Sequence, residues 1–167
     1  MSNKQLKLPL TSKQIQTLVV SEVVSLNGTV YTARDQAHKR MAYAIEHGEQ
    51  LPFALDGAAI YYCGPTPAPE GKPIGSCGPT TSGRMDKVTP LLIENGLKVM
   101  IGKGVRNAAV TQAIKDNGAV YFSAIGGAAA LYQSRVKSCE LVAYPDLGCE
   151  AVYKLEVTDF PVIVSIK

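Results

Sequence analysis

The stretch Leu97 to Ala124, LKVMIGKGVRNAAVTQAIKDNGAVYFSA, changes character three times. LKVMI (97–101) is a short apolar β-rich run, Ile101 to Asn107 is a glycine-flanked loop, Asn107 to Asp116 has helical character, and AVYFSA (119–124) is β-rich again. Strand, loop, helix and strand in that order predict a mixed α/β domain. The same alternation extends outward. Further strands are predicted at 17–24 and 29–32 around a hairpin turn at Asn27-Gly28, and at 58–63, 140–144, 152–157 and 162–166. Helices are predicted at Ala33 to His47, in a piece ending near Glu94, and at Ala128 to Val136. Pro65 to Pro73 reads as a Pro-rich loop, and residues 1–16 read as a lead-in arm.

The 167 residues suit one domain with its own core, here taken as 1–167. A net charge of +3 without clustered Lys and Arg gives no nucleic-acid surface. The cysteines, Cys63, Cys77, Cys139 and Cys149, have no C-x-x-C pair, so spacing suggests neither a metal site nor a disulfide framework. Reduced, buried thiols and a cytoplasmic location are the expectation, since no secretory leader or membrane-spanning run is visible.

Three segments carry groups suited to chemistry. In YTARDQAHKRM (31–41), Thr32 and Asp35 fit a capping pattern that starts a helix. Arg34, His38, Met41 and Ile45 then share a face whose lower part is apolar. An arginine in the first turn opposes the helix dipole, and an anion bound there would remove the conflict. The plainer alternative pairs Arg34 with Asp35 and leaves His38 an ordinary half-buried histidine. In IGSCGPTTSGRMD (74–86), a Gly-Pro turn precedes Thr80, Thr81 and Ser82, with Arg84 expected in the first turn of a helix. Thr89-Pro90 could instead open that helix afresh, leaving a tight loop with a surface arginine.

In IGKGVRN (101–107), Lys103 stands between two glycines at a strand end, although the spacing is not that of a P-loop. The GGAAA run (126–130) has the same strand-to-helix character without a functional group, and close packing is its expected role. Arg34, Arg84 and Lys103 thus supply cations, and Thr80, Thr81 and His38 supply hydroxyl and imidazole groups. Two arginines that can each grip a carboxylate suit a small dicarboxylate better than a nucleotide. The set lacks an electrophile for a leaving group.

These motifs resemble a known family. NGT (27–29), TARDQAHKR (32–40), DGAAIYYCGPTPAPEGKPIGSCGPTTSGRMDK (56–87), IGKGVRN (101–107), AVYFSAIGGAAAL (119–131) and DFPVIVSIK (159–167) resemble the β subunit, or C-terminal domain, of the iron–sulfur hydro-lyases. That family comprises class I fumarate hydratase and L(+)-tartrate dehydratase. The resemblance implies a swivelling β/β/α domain that closes on a partner α subunit, with a [4Fe-4S] cluster on that subunit and no metal on this chain. It implies Thr80 as catalytic base, with His38 matching a histidine treated as an active-site residue in the tartrate type. Thr81, Arg84, Arg34 and Lys103 are implied as substrate ligands, and the assembly as a dimer of αβ units. The implied reaction is reversible hydration of fumarate to L-malate. Tartrate dehydration to oxaloacetate, or a non-catalytic dicarboxylate-binding module, is the alternative.

Overall fold

The computed structural model describes residues 3–167. Its strands are β1 (Lys4–Lys7), β2 (Val23–Thr32), β3 (Ala59–Tyr61), β4 (Val99–Gly102), β5 (Val120–Ala124), β6 (Val136–Ala143) and β7 (Val152–Ile166). The α-helices are α1 (Ser12–Thr17), α2 (Asp35–Glu46), α3 (Thr89–Glu94), α4 (Ala108–Asn117) and α5 (Ala129–Arg135). The β4–α4–β5 run quoted above forms as expected, with Asn107 capping α4 through Val110 N–H and Gly118 closing it in the left-handed region.

The sheet closes on itself. β2, β3, β4 and β5 pair in parallel, β7 pairs antiparallel with β5, and β7 also pairs antiparallel with β2. β1 adds to β2 and β6 adds to β7 as outer strands. Alternation along each strand then divides the apolar residues into two clusters. Tyr61, Val99, Ile101 and Phe122 join Leu26, Val30 and Phe160 inside the closed sheet. Ile60, Tyr62, Met100 and Tyr121 point the other way and are covered by Met41 of α2, Leu92 of α3, and Val110 and Ile114 of α4. Hence the three parallel strands β2, β3 and β4 end at one edge, with α2, α3 and α4 beside it.

Several expectations need correction. Asn27-Gly28 is no hairpin turn but lies within β2, at a register shift opposite β7. Gly28 has φ +122°, and a Cβ there would come 3.1 Å from the Leu8 carbonyl oxygen. The glycine therefore serves the close passage of the segment after β1, while the Asn27 side chain accepts from Asp159 N–H (2.9 Å) and donates to Gln5 (2.7 Å). The strand expected at 17–24 begins only at Val23, because Thr17 ends α1. The runs 152–157 and 162–166 are one strand, β7, crossed by Asp159 at φ +50°. The lead-in arm is integral to the core: β1 belongs to the sheet, and Leu6, Leu8, Leu10 and Ile15 are buried inside it.

Thr32 does not cap α2. It ends β2, where its hydroxyl accepts from Tyr153 N–H (3.1 Å), and Arg34 occupies the cap position without a side-chain hydrogen bond. A residue paired with β3 as the last of its strand cannot also turn its side chain onto the helix start. Within the GGAAA run the close packing falls to Ala129, whose Cβ would lie 3.2 Å from a Cβ on Gly78, while Gly126 and Gly127 meet no neighbour and serve a turn, with Gly127 at φ +72°. All four cysteines are free, but only Cys63 and Cys77 are buried, and Cys149 is exposed. Among the described residues no helix is long and apolar enough to cross a membrane.

Candidate active site

The loops that follow β2, β3 and β4 leave the same edge of the sheet, where ligands of parallel sheets bind. Each carries part of the expected set. Arg34 follows β2, the segment from Tyr62 to Asp86 follows β3, and Lys103 stands directly after β4.

The second and third loops are bonded together by their backbones. Thr80 N–H donates to the Tyr62 carbonyl (2.6 Å), Lys103 N–H to the Thr80 carbonyl (3.3 Å), and Ser82 N–H to the Lys103 carbonyl (2.9 Å). Thr81 and Lys103 consequently pair as a short parallel bridge. Thr80, Thr81 and Lys103 are neighbours even though more than twenty positions separate the threonines from the lysine. Thr81 and Lys103 are exposed and Thr80 is half-buried, so the patch is open to solvent.

Arg84 joins this loop to α2. It lies in a 3-10 turn, Ser82–Met85, and not in the first turn of an α-helix; α3 starts afresh at Thr89 with Pro90 in its first turn, the alternative that the sequence offered. Its Nε donates to Asp35 Oδ1 at 3.0 Å. Arg34 Nε approaches the other oxygen of Asp35 only to 4.0 Å, so the plain Arg34–Asp35 pair is a loose one. Arg34 instead lies across Gly64, where a Cβ would come 2.8 Å from its Nη1 and 2.9 Å from its Cδ. The glycine after Cys63 is the space in which this arginine rests.

His38 is fully buried rather than half-buried, behind Arg34. Its Nδ1 lies 2.8 Å from the Arg34 carbonyl, which can only accept, so Nδ1 carries the proton and Nε2 keeps a lone pair. The ring meets Tyr62 edge-on at 5.4 Å. Burial pushes the His38 pKa down to about 4, and the Arg106 charge acts in the same direction, against the Arg34 carbonyl and Asp35. His38 is therefore neutral at pH 7. Its Nε2, Arg34 Nε and Asp35 Oδ2 are all buried and have no hydrogen-bond partner. One donor and two acceptors left unpaired around the first turns of α2 mark a place built for something more than folding. The six expected residues thus form two groups, Thr80, Thr81 and Lys103 on the bridged loops and Arg34, His38 and Arg84 around the start of α2, joined through the loop from Thr80 to Arg84 and through Tyr62.

Sequence reasoning missed the support beneath them. Arg106, with no side-chain exposure, donates from Nε to Asp86 Oδ1 (2.6 Å) and from Nη2 to Thr89 Oγ1 (2.9 Å) and the Tyr62 hydroxyl (3.2 Å). The second Asp86 oxygen accepts from Asn107 N–H (2.7 Å). The guanidinium also lies against the Tyr62 and Tyr121 rings, 5.2 and 4.8 Å from their centroids. Asp86 closes GRMD and Arg106 stands in GKGVRN, so both were inside the conspicuous motifs. Nothing in the periodicity of a loop distinguishes a buried arginine from an exposed one.

Residues 2–167 match the family model described as Fumarase C-terminus. The chain belongs to the fumarase C-terminus family. It is 45% identical over 155 residues to the aerobic class I fumarate hydratase of Escherichia coli (strain K12), covering 92% of this chain and 28% of that protein. Identity to fumarate hydratase 2 of Leishmania major is 41% over 165 residues, 96% of this chain and 29% of the relative. A third relative, named "Putative L(+)-tartrate dehydratase subunit beta" in Methanocaldococcus jannaschii, is 39% identical over 163 residues. There the match covers 94% of this chain and 84% of the relative. The chain therefore spans under a third of the two fumarate hydratases but most of the archaeal subunit.

Proposed function

We propose that this chain is the β half of an iron–sulfur hydro-lyase that adds water reversibly to fumarate, giving L-malate. The observation that carries the reading is the convergence of Arg34, Thr80, Thr81, Arg84 and Lys103 at the carboxyl ends of three parallel strands. Arg34 and Arg84 would each bind a carboxylate of the four-carbon substrate, with Lys103 supplying a further positive charge. Thr80 would move the proton at the carbon beside a carboxylate. A threonine hydroxyl is a weak base, and the neighbouring cations would favour its deprotonated form. His38, neutral and with an unpartnered Nε2, is an acceptor that can take a hydrogen bond from substrate or water without becoming charged.

Class I fumarate hydratases are iron–sulfur enzymes, and the donors on this chain do not fit such a cluster. Cys63 and Cys77 are buried within the interior of the closed sheet, away from the candidate site's exposed residues. Among the described residues no three His, Cys, Asp or Glu side chains gather into a metal-holding group. We assign the cluster to a partner α subunit, where an iron with an open position would act as the Lewis acid on the substrate hydroxyl. This chain would work as a single swivelling domain that closes over the partner's site, in a dimer of αβ units in the cytoplasm. The 84% coverage of the archaeal relative favours a separate subunit, and it keeps dehydration of L(+)-tartrate to oxaloacetate as the second reading.

Anaerobic isolation of the chain with what binds it, followed by assays on fumarate and on L(+)-tartrate, tests the proposal. An iron–sulfur partner with oxygen-sensitive turnover of fumarate is the expected result. Turnover of tartrate alone selects the second reading. A solitary chain that binds dicarboxylates without turnover would overturn both.

A further inference from the structure

One hydroxyl joins the two loops that carry the threonines and the lysine. Tyr121, on the outer face of β5, is buried, and its oxygen lies 2.8 Å from Ser82 Oγ and 2.8 Å from the Gly104 carbonyl. The carbonyl can only accept, so Tyr121 donates to Gly104 and accepts from Ser82. Ser82 directly follows Thr81, and Gly104 directly follows Lys103. The relay therefore runs from one side of the candidate site to the other just beneath its exposed residues. Its surroundings hold it in place. Arg106 packs on the ring, and Gly102 leaves the room that the Ser82 hydroxyl occupies, since a Cβ there would stand 2.0 Å from Ser82 Oγ. Beside Thr81 and Lys103 two backbone bonds also tie the loops, one of them long at 3.3 Å, and further along Asp86 ties them through Arg106 and Asn107.

We infer that the Tyr121 hydroxyl is a positioning group, setting the spacing between the Thr80–Thr81 segment and Lys103. The inference rests on the hydro-lyase reading for its kinetic consequence, though not for its geometry. Charge attraction between cations and carboxylates tolerates small displacements, whereas proton transfer at carbon does not. Loss of the hydroxyl should therefore act on kcat more than on KM. Arg34 and Arg84, anchored at α2, keep their places.

In the assembled αβ enzyme, Tyr121→Phe should lower kcat about 10-fold with KM changed less than about 2-fold. Ser82→Ala should give a similar loss, and the double variant should be no worse than Tyr121→Phe alone, because both cut one relay. Unchanged kcat in Tyr121→Phe, or losses that multiply in the double variant, would overturn the inference. Amide exchange separates its failure from failure of the functional reading. In Tyr121→Phe the Ser82 and Lys103 amides should exchange about 10-fold faster, with the α1 amides unaffected. If the wild-type assembly turns over neither fumarate nor tartrate, the functional reading falls, and equal exchange at Ser82 and Lys103 in both proteins would dispose of the positioning role as well.

Discussion

The edge of the sheet holds two arginine–aspartate pairs that sequence alone makes look alike. Arg106 and Asp86 are both buried, 2.6 Å apart, with side-chain exposures of 0% and 8%. The Asp86 oxygens accept from Arg106 Nε and from Asn107 N–H, and Arg106 Nη2 donates to Tyr62 and Thr89. Arg84 and Asp35 are 3.0 Å apart with exposures of 51% and 21%. Around them Asp35 Oδ2, Arg34 Nε and His38 Nε2 have no hydrogen-bond partner. A closed pair of this kind holds loops, and an open one leaves its remaining hydrogen-bonding capacity for a ligand. The open group stands on the closed one, because the loop carrying Thr80 to Asp86 is anchored below by Asp86 and reaches α2 through Arg84.

The sharpest way to break this contrast is to remove one partner from each pair, beginning with the closed one. Asp86→Ala leaves Arg106 charged and buried, and should destabilise the chain by about 3–5 kcal/mol in urea unfolding. A loss as small as that of a surface variant would mean the pair is not closed. Acid comes next in size. A histidine with a folded pKa of about 4 takes up its proton in the unfolded chain first, so stability falls as pH drops from about 6.5 towards 4. This contributes about 2 kcal/mol of lost stability between pH 7 and 5, and His38→Gln should remove that share of the slope. An unaltered slope would place the His38 ring in contact with solvent. Smallest is Arg84→Ala. Being half-exposed, it should cost under about 1 kcal/mol of stability yet raise the substrate KM about 10-fold, equivalent to about 1.4 kcal/mol. Unchanged KM would remove Arg84 from the substrate site.

The same contrast explains what was legible in the sequence. β4, α4 and β5 follow from apolar runs, a capping Asn107 and a closing Gly118, all local signals. Arg34, Thr80, Thr81, Arg84 and Lys103 were legible as cations and hydroxyls at element ends, and as members of recognisable motifs. Asn27-Gly28 misled because a tight turn and a close passage of another segment both require glycine, and only the position of Leu8 decides between them. Thr32 misled because its strand pairing with β3 outweighs a local cap. Arg106, Asp86 and Tyr121 come together only when β4 and β5 pair and the loops fold across them, so no spacing in the chain announces them.

In the proposed function, the open edge is half of a hydro-lyase site in which Thr80 handles the proton. The most direct test compares wild type and Thr80→Ala in the same anaerobically isolated complex, measuring fumarate hydration at saturating substrate. A loss of kcat of about 10²-fold or more with KM little changed is expected. A Thr80→Ala complex that hydrates fumarate at the wild-type rate would contradict it.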